Sequence, residues 1–178
     1  MNLSELKENC LKCKKCELCK TRTNVVFGYG NENAEIMFIG EGPGEQEDLQ
    51  AMPFVGRSGK LLDDYLNVIG LKRENVYIAN IVKCRPPKNR DPMKEEQDLC
   101  IDWLREQVKI INPKSIICLG RIAAARIIKP DIAITKEHGM WFQRGDKRYM
   151  AIFHPAAVLR DPSKRGETLM DFKKLISD

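Results

Sequence analysis

Four cysteines near the N-terminus recur at every third position and could bind a metal. They are Cys10, Cys13, Cys16 and Cys19, and the sequence contains seven cysteines in all. Repeated C-x-x-C units are typical of metal sites, and the lysines and glutamates between them disfavour a buried helix face. All four could hold one metal, or a subset could join cysteines further along the chain. The bacterial ferredoxin run is disfavoured, because the last gap is one residue short and no proline follows Cys19.

A second candidate site is the glycine-rich turn Gly40–Gly44 (GEGPG), which follows the apolar run Ile36–Ile39. A strand that ends in such a turn leaves backbone N–H groups facing the crevice where open α/β sheets bind ligands. Two nucleotide-binding loops do not fit. The dinucleotide fingerprint needs a glycine at position 45, which is glutamate, and the P-loop-like segment 56–60 is followed by Leu61 instead of serine or threonine. The turn is predicted to bind something other than a polyphosphate.

Two further polar residues follow apolar runs. Asn80 lies near the end of VYIANIV, and His154 follows YMAIF. Each alone has an ordinary structural explanation, because asparagine often caps a turn and a single histidine is often a core or capping residue. The carboxyl ends of parallel strands meet at one edge of a sheet, so Asn80, His154 and the glycine turn are predicted to form one site.

The elements that position these residues alternate along the chain. Four apolar segments are predicted strands: 34–40, 76–82, 115–119 and 149–153. Four segments with helical periodicity are predicted helices: 58–69, 93–111, 121–128 and 167–176. This alternation predicts an α/β fold with a mainly parallel sheet and helices on both faces.

Composition limits the class of protein. The chain of 178 residues has 43% hydrophobic and 31% charged residues, and its net charge of +5 permits a nucleic-acid partner without requiring one. The charged N-terminus is unlike a signal peptide, and no apolar run approaches the roughly 20 residues of a membrane span. Secretion is therefore not expected, and we expect a cytoplasmic protein, in which metal or cluster binding explains seven cysteines better than disulfides do. We expect a single domain, 1–178.

Several motifs in series carry a family resemblance. GEGPGEQED with PFVG close behind, NIVKCRPP, FHPAAVLR and RTNVVFG resemble the motifs of the family 4 uracil-DNA glycosylases, the iron–sulfur, thermophile-type members of that superfamily. The resemblance covers essentially the whole chain. It implies a three-layer α/β/α domain with a central four-stranded parallel sheet. It also implies a monomeric DNA repair enzyme that removes uracil from single- and double-stranded DNA and leaves an abasic site.

The resemblance also implies a [4Fe–4S] cluster. Its ligands fall on Cys13 and Cys16, on Cys84 in KCRPP, and on Cys100 in the long helix. Four thiolates from three segments would tie the N-terminal segment to the domain. Cys10 and Cys19 are then extra, and either could substitute as a ligand. The cluster is expected to be structural, because hydrolysis of a glycosidic bond moves no electrons.

The family's active-site roles fall on particular residues. Phe54 would stack on the flipped base, Asn80 would read the uracil edge, and His154 would lie against uracil O2 as negative charge develops there. The water-activating residue is open, because relatives have an acidic or amide residue where this chain has Gly42; Glu41 and Glu47 are the available carboxylates. The predicted pocket lining, besides those side chains, is Gly40, Glu41, Gly42 and Pro43.

A loop after His154 resembles the segment that wedges into the duplex in this superfamily. Leu159 would fill the gap left by the flipped nucleotide, and Arg160, Lys164 and Arg165 would contact phosphates. The alternative is a solvated helix start. For the whole chain, the rival interpretation is a non-catalytic iron–sulfur or zinc protein that binds nucleic acid or carries electrons. A third keeps the fold and changes the excised base to hypoxanthine or a mismatched thymine.

Overall fold

A mixed sheet forms the centre of the computed structural model, which describes residues 1–177. Its strands are β1 (Tyr29–Gly30), β2 (Ile36–Gly40), β3 (Tyr77–Asn80), β4 (Ser115–Leu119), β5 (Phe142–Arg144) and β6 (Lys147–Ile152). The helices are α1 (Leu3–Cys10), α2 (Glu45–Gln50), α3 (Arg57–Val68), α4 (Lys94–Ile111), α5 (Arg121–Ile127), α6 (Ile134–Glu137), α7 (Pro155–Arg160) and α8 (Arg165–Lys174). Short 3₁₀ turns span Glu17–Lys20, Arg73–Asn75, Pro87–Asn89 and Pro162–Lys164.

The strand order is β1-β3-β2-β4-β6-β5. The four central strands, β3, β2, β4 and β6, are mutually parallel, which confirms the predicted parallel sheet. In this register Gly40 at the end of β2 lies beside Asn80 at the end of β3. The glycine turn and the asparagine therefore leave the sheet at the same edge.

The prediction of a four-stranded sheet was incomplete. β1 and β5 add antiparallel strands at the two edges, pairing with β3 and β6 respectively. These strands contain two and three residues, too few to show a hydrophobic period in the sequence. Their side chains are partly or fully exposed, so no apolar run marks them.

Alternate residues of the central strands point to two separate cores, which confirms the three-layer architecture. In β2, Met37 and Ile39 join the core that contains residues of α1, α4 and α5. Phe38 between them joins the opposite core, where Leu62 of α3 and Phe172 of α8 are fully buried. Strands buried on both faces explain why these segments read as continuous apolar runs.

The N-terminal segment contains a helix that the sequence reading left out. In α1, Asn2 Oδ1 accepts a hydrogen bond from the Glu5 N–H at 2.9 Å, and Glu5 Oε2 accepts one from the Asn2 N–H at 3.2 Å. This capping box starts the helix. Leu3 and Leu6 are buried in the same core as residues of α4. Apolar packing therefore holds this segment on the domain in addition to its cysteines.

None of the helices within residues 1–177 combines the length and the hydropathy that crossing a membrane requires.

Candidate active site and cysteine pocket

The three side chains predicted to form a site converge at the carboxyl edge of the sheet. A Cβ placed on Gly40 would lie 2.6 Å from Asn80 Oδ1 and 2.7 Å from Phe54 Cζ. Both side chains therefore pack directly against the backbone of β2 at Gly40. The rings of Phe54 and His154 are stacked with centroids 5.5 Å apart and an interplanar angle of 29°. We call this arrangement of Phe54, Asn80 and His154 over Gly40 the slot.

Asn80 presents an unsatisfied acceptor to the slot. The residue is 2% exposed, and its Oδ1 has no hydrogen-bond partner among residues 1–177. A buried acceptor without a donor costs about 1–3 kcal/mol, and such groups in native proteins call for an explanation. A ligand N–H at this position would satisfy the oxygen.

His154 is held in one tautomer. Its Nδ1 accepts a hydrogen bond from the Ala156 N–H at 3.0 Å, so the ring proton of the neutral imidazole is on Nε2. Burial lowers the pKa of His154 to about 4; Arg160 adds to this effect and Glu47 opposes it. The imidazole is therefore neutral near pH 7 and carries an Nε2–H donor.

The glycine turn is fixed against the segment that follows β3. The carbonyls of Gly40 and Glu41 accept hydrogen bonds from the N–H groups of Ile81 (2.9 Å) and Val82 (3.1 Å). A Cβ on Gly42 would lie 2.7 Å from Val82 Cγ2, so a larger residue would push the two segments apart. Pro43 is buried. These contacts give the predicted pocket backbone a defined position.

The two candidate carboxylates have different surroundings. Glu47 Oε2 accepts hydrogen bonds from the N–H groups of Val55 and Gly56, each at 3.0 Å, and its Oε1 accepts one from Gly44 at 2.9 Å. Three backbone donors thus fix this carboxylate between the glycine turn and the loop that carries Phe54. Its position is that of a structural anchor for both segments.

Glu41 lies at the rim of the slot. Its Oε1 would be 3.5 Å from a Cβ on Gly120, and His154 Cβ would be 3.0 Å from the same point. Burial and the Asp91 charge raise the pKa of Glu41, while Arg121 and Arg160 lower it. A partly buried carboxylate beside the imidazole is suited to orient a polar reactant.

The predicted duplex-binding residues extend from His154 along α7 and the turn behind it. Leu159 is partly exposed, whereas Arg160 and Arg165 are exposed at this surface. Lys164 is engaged within the protein, because its Nζ lies 2.8 Å from Asp161 Oδ2 and over the Phe153 ring. The segment that follows His154 is helical, and Leu159 and Arg160 are the last two residues of α7.

A separate pocket lies beside the core that contains residues of α1 and α4, to which Cys84 and Cys100 belong. Cys13, Cys16, Cys84 and Cys100, the predicted ligands, all line it, and Cys19 does so as well; we call it the cysteine pocket. The space between these side chains that a water molecule could occupy is about 10 Å³. Among residues 1–177 no group of three metal-binding side chains is arranged for a single metal ion.

Hydrogen bonds to three of these cysteines bear on whether they fit an iron–sulfur cluster. Arg22 Nη1 lies 3.2 Å from Cys84 Sγ, the Lys83 N–H lies 3.3 Å from Cys100 Sγ, and Trp103 Nε1 lies 3.3 Å from Cys13 Sγ. Each is a donor aimed at sulfur. Cluster thiolates are tuned by such N–H···S contacts, so the donor set fits a cluster.

Charge near the cysteine pocket supports the same fit. The ammonium of Lys83 is 1% exposed and donates to Gln107 Oε1 at 2.6 Å. Burial lowers the pKa of Lys83 to about 8, and the thiols of Cys10, Cys100 and Cys84 oppose this shift. A buried cation requires compensating negative charge, which thiolates bound to a cluster would supply.

Some functional neighbours were not predicted from the sequence. Arg22 opens the RTNVVFG motif, which predicts no contact with a cysteine, and Trp103 lies in none of the motifs named above; both reach the cysteines only because distant segments meet. Arg73 is another: its guanidinium binds the carbonyls of Pro53 and Phe54. An arginine shortly before a predicted strand carries no sequence signal of this contact.

Comparison with known proteins identifies the family of this chain. Residues 27–178 match the family model of the uracil DNA glycosylase superfamily. The chain therefore belongs to the uracil DNA glycosylase superfamily.

Individual relatives narrow the class. A type-4 uracil-DNA glycosylase of Archaeoglobus fulgidus is 48% identical over 98% of this chain and 92% of its own length. Those of Thermotoga maritima and Sulfurisphaera tokodaii are 46% and 43% identical, over 94% and 98% of this chain and 89% and 83% of their own lengths. The chain belongs to the type-4 uracil-DNA glycosylases.

Proposed function

We propose that this chain hydrolyses the N-glycosidic bond of uracil in single- and double-stranded DNA, acting as a monomeric single domain, 1–178, in the cytoplasm. The observation that carries the proposal is the buried, unpartnered Oδ1 of Asn80, in a slot shared with Phe54 and His154. Membership of the type-4 family supports the reaction, and seven cysteines without a disulfide support a reducing compartment.

Asn80 gives the slot its base specificity. Its Oδ1 accepts from uracil N3–H, and its Nδ2 donates to uracil O4. Cytosine has an acceptor at N3 and a donor at its exocyclic amine. The acceptor N3 would therefore face the acceptor Oδ1 of Asn80, and the amine would face the donor Nδ2. A site built to hydrogen-bond one pattern rejects the other strongly, because its own buried groups would stay unpaired.

His154 stabilises the departing base. As the glycosidic bond breaks, the base takes negative charge onto O2 and the sugar becomes cation-like. The neutral imidazole, fixed by the Ala156 N–H at Nδ1, donates from Nε2 to that oxygen. A donor that is already oriented costs no reorganisation during the reaction, which is the principle of an oxyanion hole.

The base must leave the duplex to reach this edge of the sheet. Phe54 stacks on the flipped base, a contact worth about 1–3 kcal/mol. Leu159 fills the gap in the duplex, and Arg160, Lys164 and Arg165 bind phosphates. Lys164 would exchange its ion pair with Asp161 for a phosphate contact.

Of the two candidate carboxylates, Glu41 is better placed to orient the attacking water. It lies at the rim beside His154, whereas the oxygens of Glu47 are held by three backbone N–H groups. We assign Glu47 to positioning the glycine turn and the Phe54 loop. Backbone groups of Gly40, Glu41, Gly42 and Pro43 complete the pocket.

Cys13, Cys16, Cys84 and Cys100 would hold a [4Fe–4S] cluster. When bound, it cross-links three chain segments and takes no part in the hydrolysis. Burial raises the pKa of Cys100 to about 11, so the free thiol is protonated near pH 7 and would have to give up its proton to hold iron. Cys19, on the pocket wall, is a better substitute ligand than Cys10, which is fully buried in the adjacent core.

A uracil-containing oligonucleotide treated with the protein and then with hot alkali tests the function. We expect strand cleavage at uracil in single- and double-stranded substrates, and none in matched strands with cytosine or thymine. An intact uracil strand, where a known glycosylase cleaves, would favour the rival interpretation of a non-catalytic iron–sulfur or zinc protein. If hypoxanthine or mismatched thymine is released faster than uracil, that base is the substrate instead.

A further inference from the structure

The loop that carries Phe54 is held from two sides. We call residues 53–56 the stacking loop. Its N–H groups at Val55 and Gly56 donate to Glu47, as described above. Its carbonyls at Pro53 and Phe54 accept from Arg73 Nη1, at 2.8 Å, and from Arg73 Nη2. A carboxylate thus binds the donors of the loop, and a guanidinium binds its acceptors.

Phe54 needs such support because its backbone is left-handed. Its φ of 53° lies in a region that residues with a side chain rarely adopt. Such conformations persist only where the surroundings over-determine them, and they concentrate at ligand sites. The Phe54 carbonyl also presses on α3, since a Cβ on Gly59 would overlap it. Without the carbonyl anchors, this loop would relax to an ordinary backbone and move the ring.

Arg73 is itself fixed. Its Nε lies 2.6 Å from Asp63 Oδ1 on α3, and its Nη2 lies 3.3 Å from the Gly59 carbonyl. Its side chain is 15% exposed. Arg73 also begins the 3₁₀ turn that leads into β3, the strand that ends at Asn80. One guanidinium therefore connects α3, the stacking loop and the strand that reads the base.

We propose that Arg73, oriented by Asp63, is a positioning residue that holds Phe54 in its left-handed conformation, so that the phenyl ring is in place before the base arrives. This inference rests on the proposed function, since it assumes that Phe54 stacks on uracil. It adds a residue outside every motif to the determinants of excision. Arg73 does not touch the base and acts only through the stacking loop.

The test compares Arg73→Gln with a matched control in single-turnover excision of uracil. Arg144→Gln is the control. Arg144 lies on the edge strand β5, and its guanidinium also donates to two successive carbonyls, those of Ile127 at 3.1 Å and Ile128 at 2.6 Å. We expect Arg73→Gln to lower the rate about 10- to 100-fold and Arg144→Gln to leave it within about twofold. Melting temperatures of both variants identify any loss due to unfolding.

A double-mutant cycle separates positioning from general support. In a Phe54→Ala background there is no ring to place, so adding Arg73→Gln should change the rate by less than about twofold. Asp63→Asn should reproduce part of the Arg73→Gln effect. If Arg73→Gln does not fold, Arg73→Lys, which keeps the charge and loses the fork that reaches two carbonyls, replaces it in the cycle.

A second readout does not depend on activity. Nuclear Overhauser contacts between the Phe54 and His154 rings should disappear in Arg73→Gln and remain in Arg144→Gln. Equal losses of rate in the wild-type and Phe54→Ala backgrounds, or ring contacts that survive in Arg73→Gln, would overturn the inference. A wild-type protein inactive on uracil would overturn the proposed function instead, and the ring contacts would still decide the role of Arg73.

Discussion

The slot and the cysteine pocket are both assembled from three distant chain segments, yet they are held together differently. The slot is fixed by hydrogen bonds of the protein itself. The stacking loop donates to Glu47 and accepts from Arg73, and the segment after β3 donates to carbonyls at the end of β2. In the cysteine pocket the side chains meet at thiols, whose contacts are N–H···S bonds of 3.2–3.3 Å. The slot is therefore held by hydrogen bonds to oxygen, whereas the cysteine pocket has weaker contacts to sulfur, which the proposed cluster would reinforce.

Hydrogen bonds also connect the two regions. Asp48, beside Glu47 on α2, accepts hydrogen bonds from the N–H groups of Thr23 and Asn24, at 2.9 and 3.0 Å. These residues follow Arg22, which contacts Cys84. Loss of the proposed cluster should therefore loosen the slot indirectly. Substitutions in the slot, in contrast, should leave the cluster intact.

The largest effect is expected in the slot. Asn80→Ala should lower uracil excision about 10²- to 10³-fold, because it removes an oriented group that recognises the base. Its iron content and visible absorbance should match those of the wild type. His154→Ala should behave in the same way. Full activity in both variants would show that the slot is misplaced, and loss of iron in Asn80→Ala would contradict the separation of the two regions.

Substitutions in the cysteine pocket are expected to lower the excision rate less and the content of bound iron more. Cys100→Ser should lower bound iron and the melting temperature, and excision by the molecules that remain folded should fall about tenfold through the looser slot. Iron analysis with a circular-dichroism melt measures both. Cys10→Ser is the control and should keep its iron. A Cys100→Ser protein with wild-type iron would remove Cys100 from the ligand set.

The smallest effect concerns pH. Because His154 has a pKa of about 4 instead of 6.5, the excision rate should show no inflection from His154 between about pH 5 and about pH 8. The unfolded chain takes up this proton first, so the contribution of His154 to the free energy of unfolding is complete above pH 6.5 and is lost as pH falls toward about 4. An inflection near pH 6.5 that His154→Asn abolishes would contradict the neutral imidazole.

Sequence reasoning succeeded where a local pattern determines the structure. Apolar runs buried on both faces predicted the four parallel strands, and the strand ends predicted that Asn80 and the glycine turn would lie at the same edge of the sheet. β1 and β5 were not predicted, because strands of two and three residues are too short to show alternating hydrophobicity. They form through pairing with a neighbouring strand. The contacts of Arg73 and Arg22 were equally invisible, since they arise from segments that approach only in the folded chain.

The central claim is that Phe54, Asn80 and His154 form one slot specific for uracil. The most direct test is a titration of ¹⁵N-labelled protein with free uracil, which follows the side-chain amide of Asn80 and Nε2 of His154. We expect both signals to shift together with uracil and to stay in place with cytosine. If neither signal moves at concentrations of uracil that inhibit excision, the base binds elsewhere and the account is wrong.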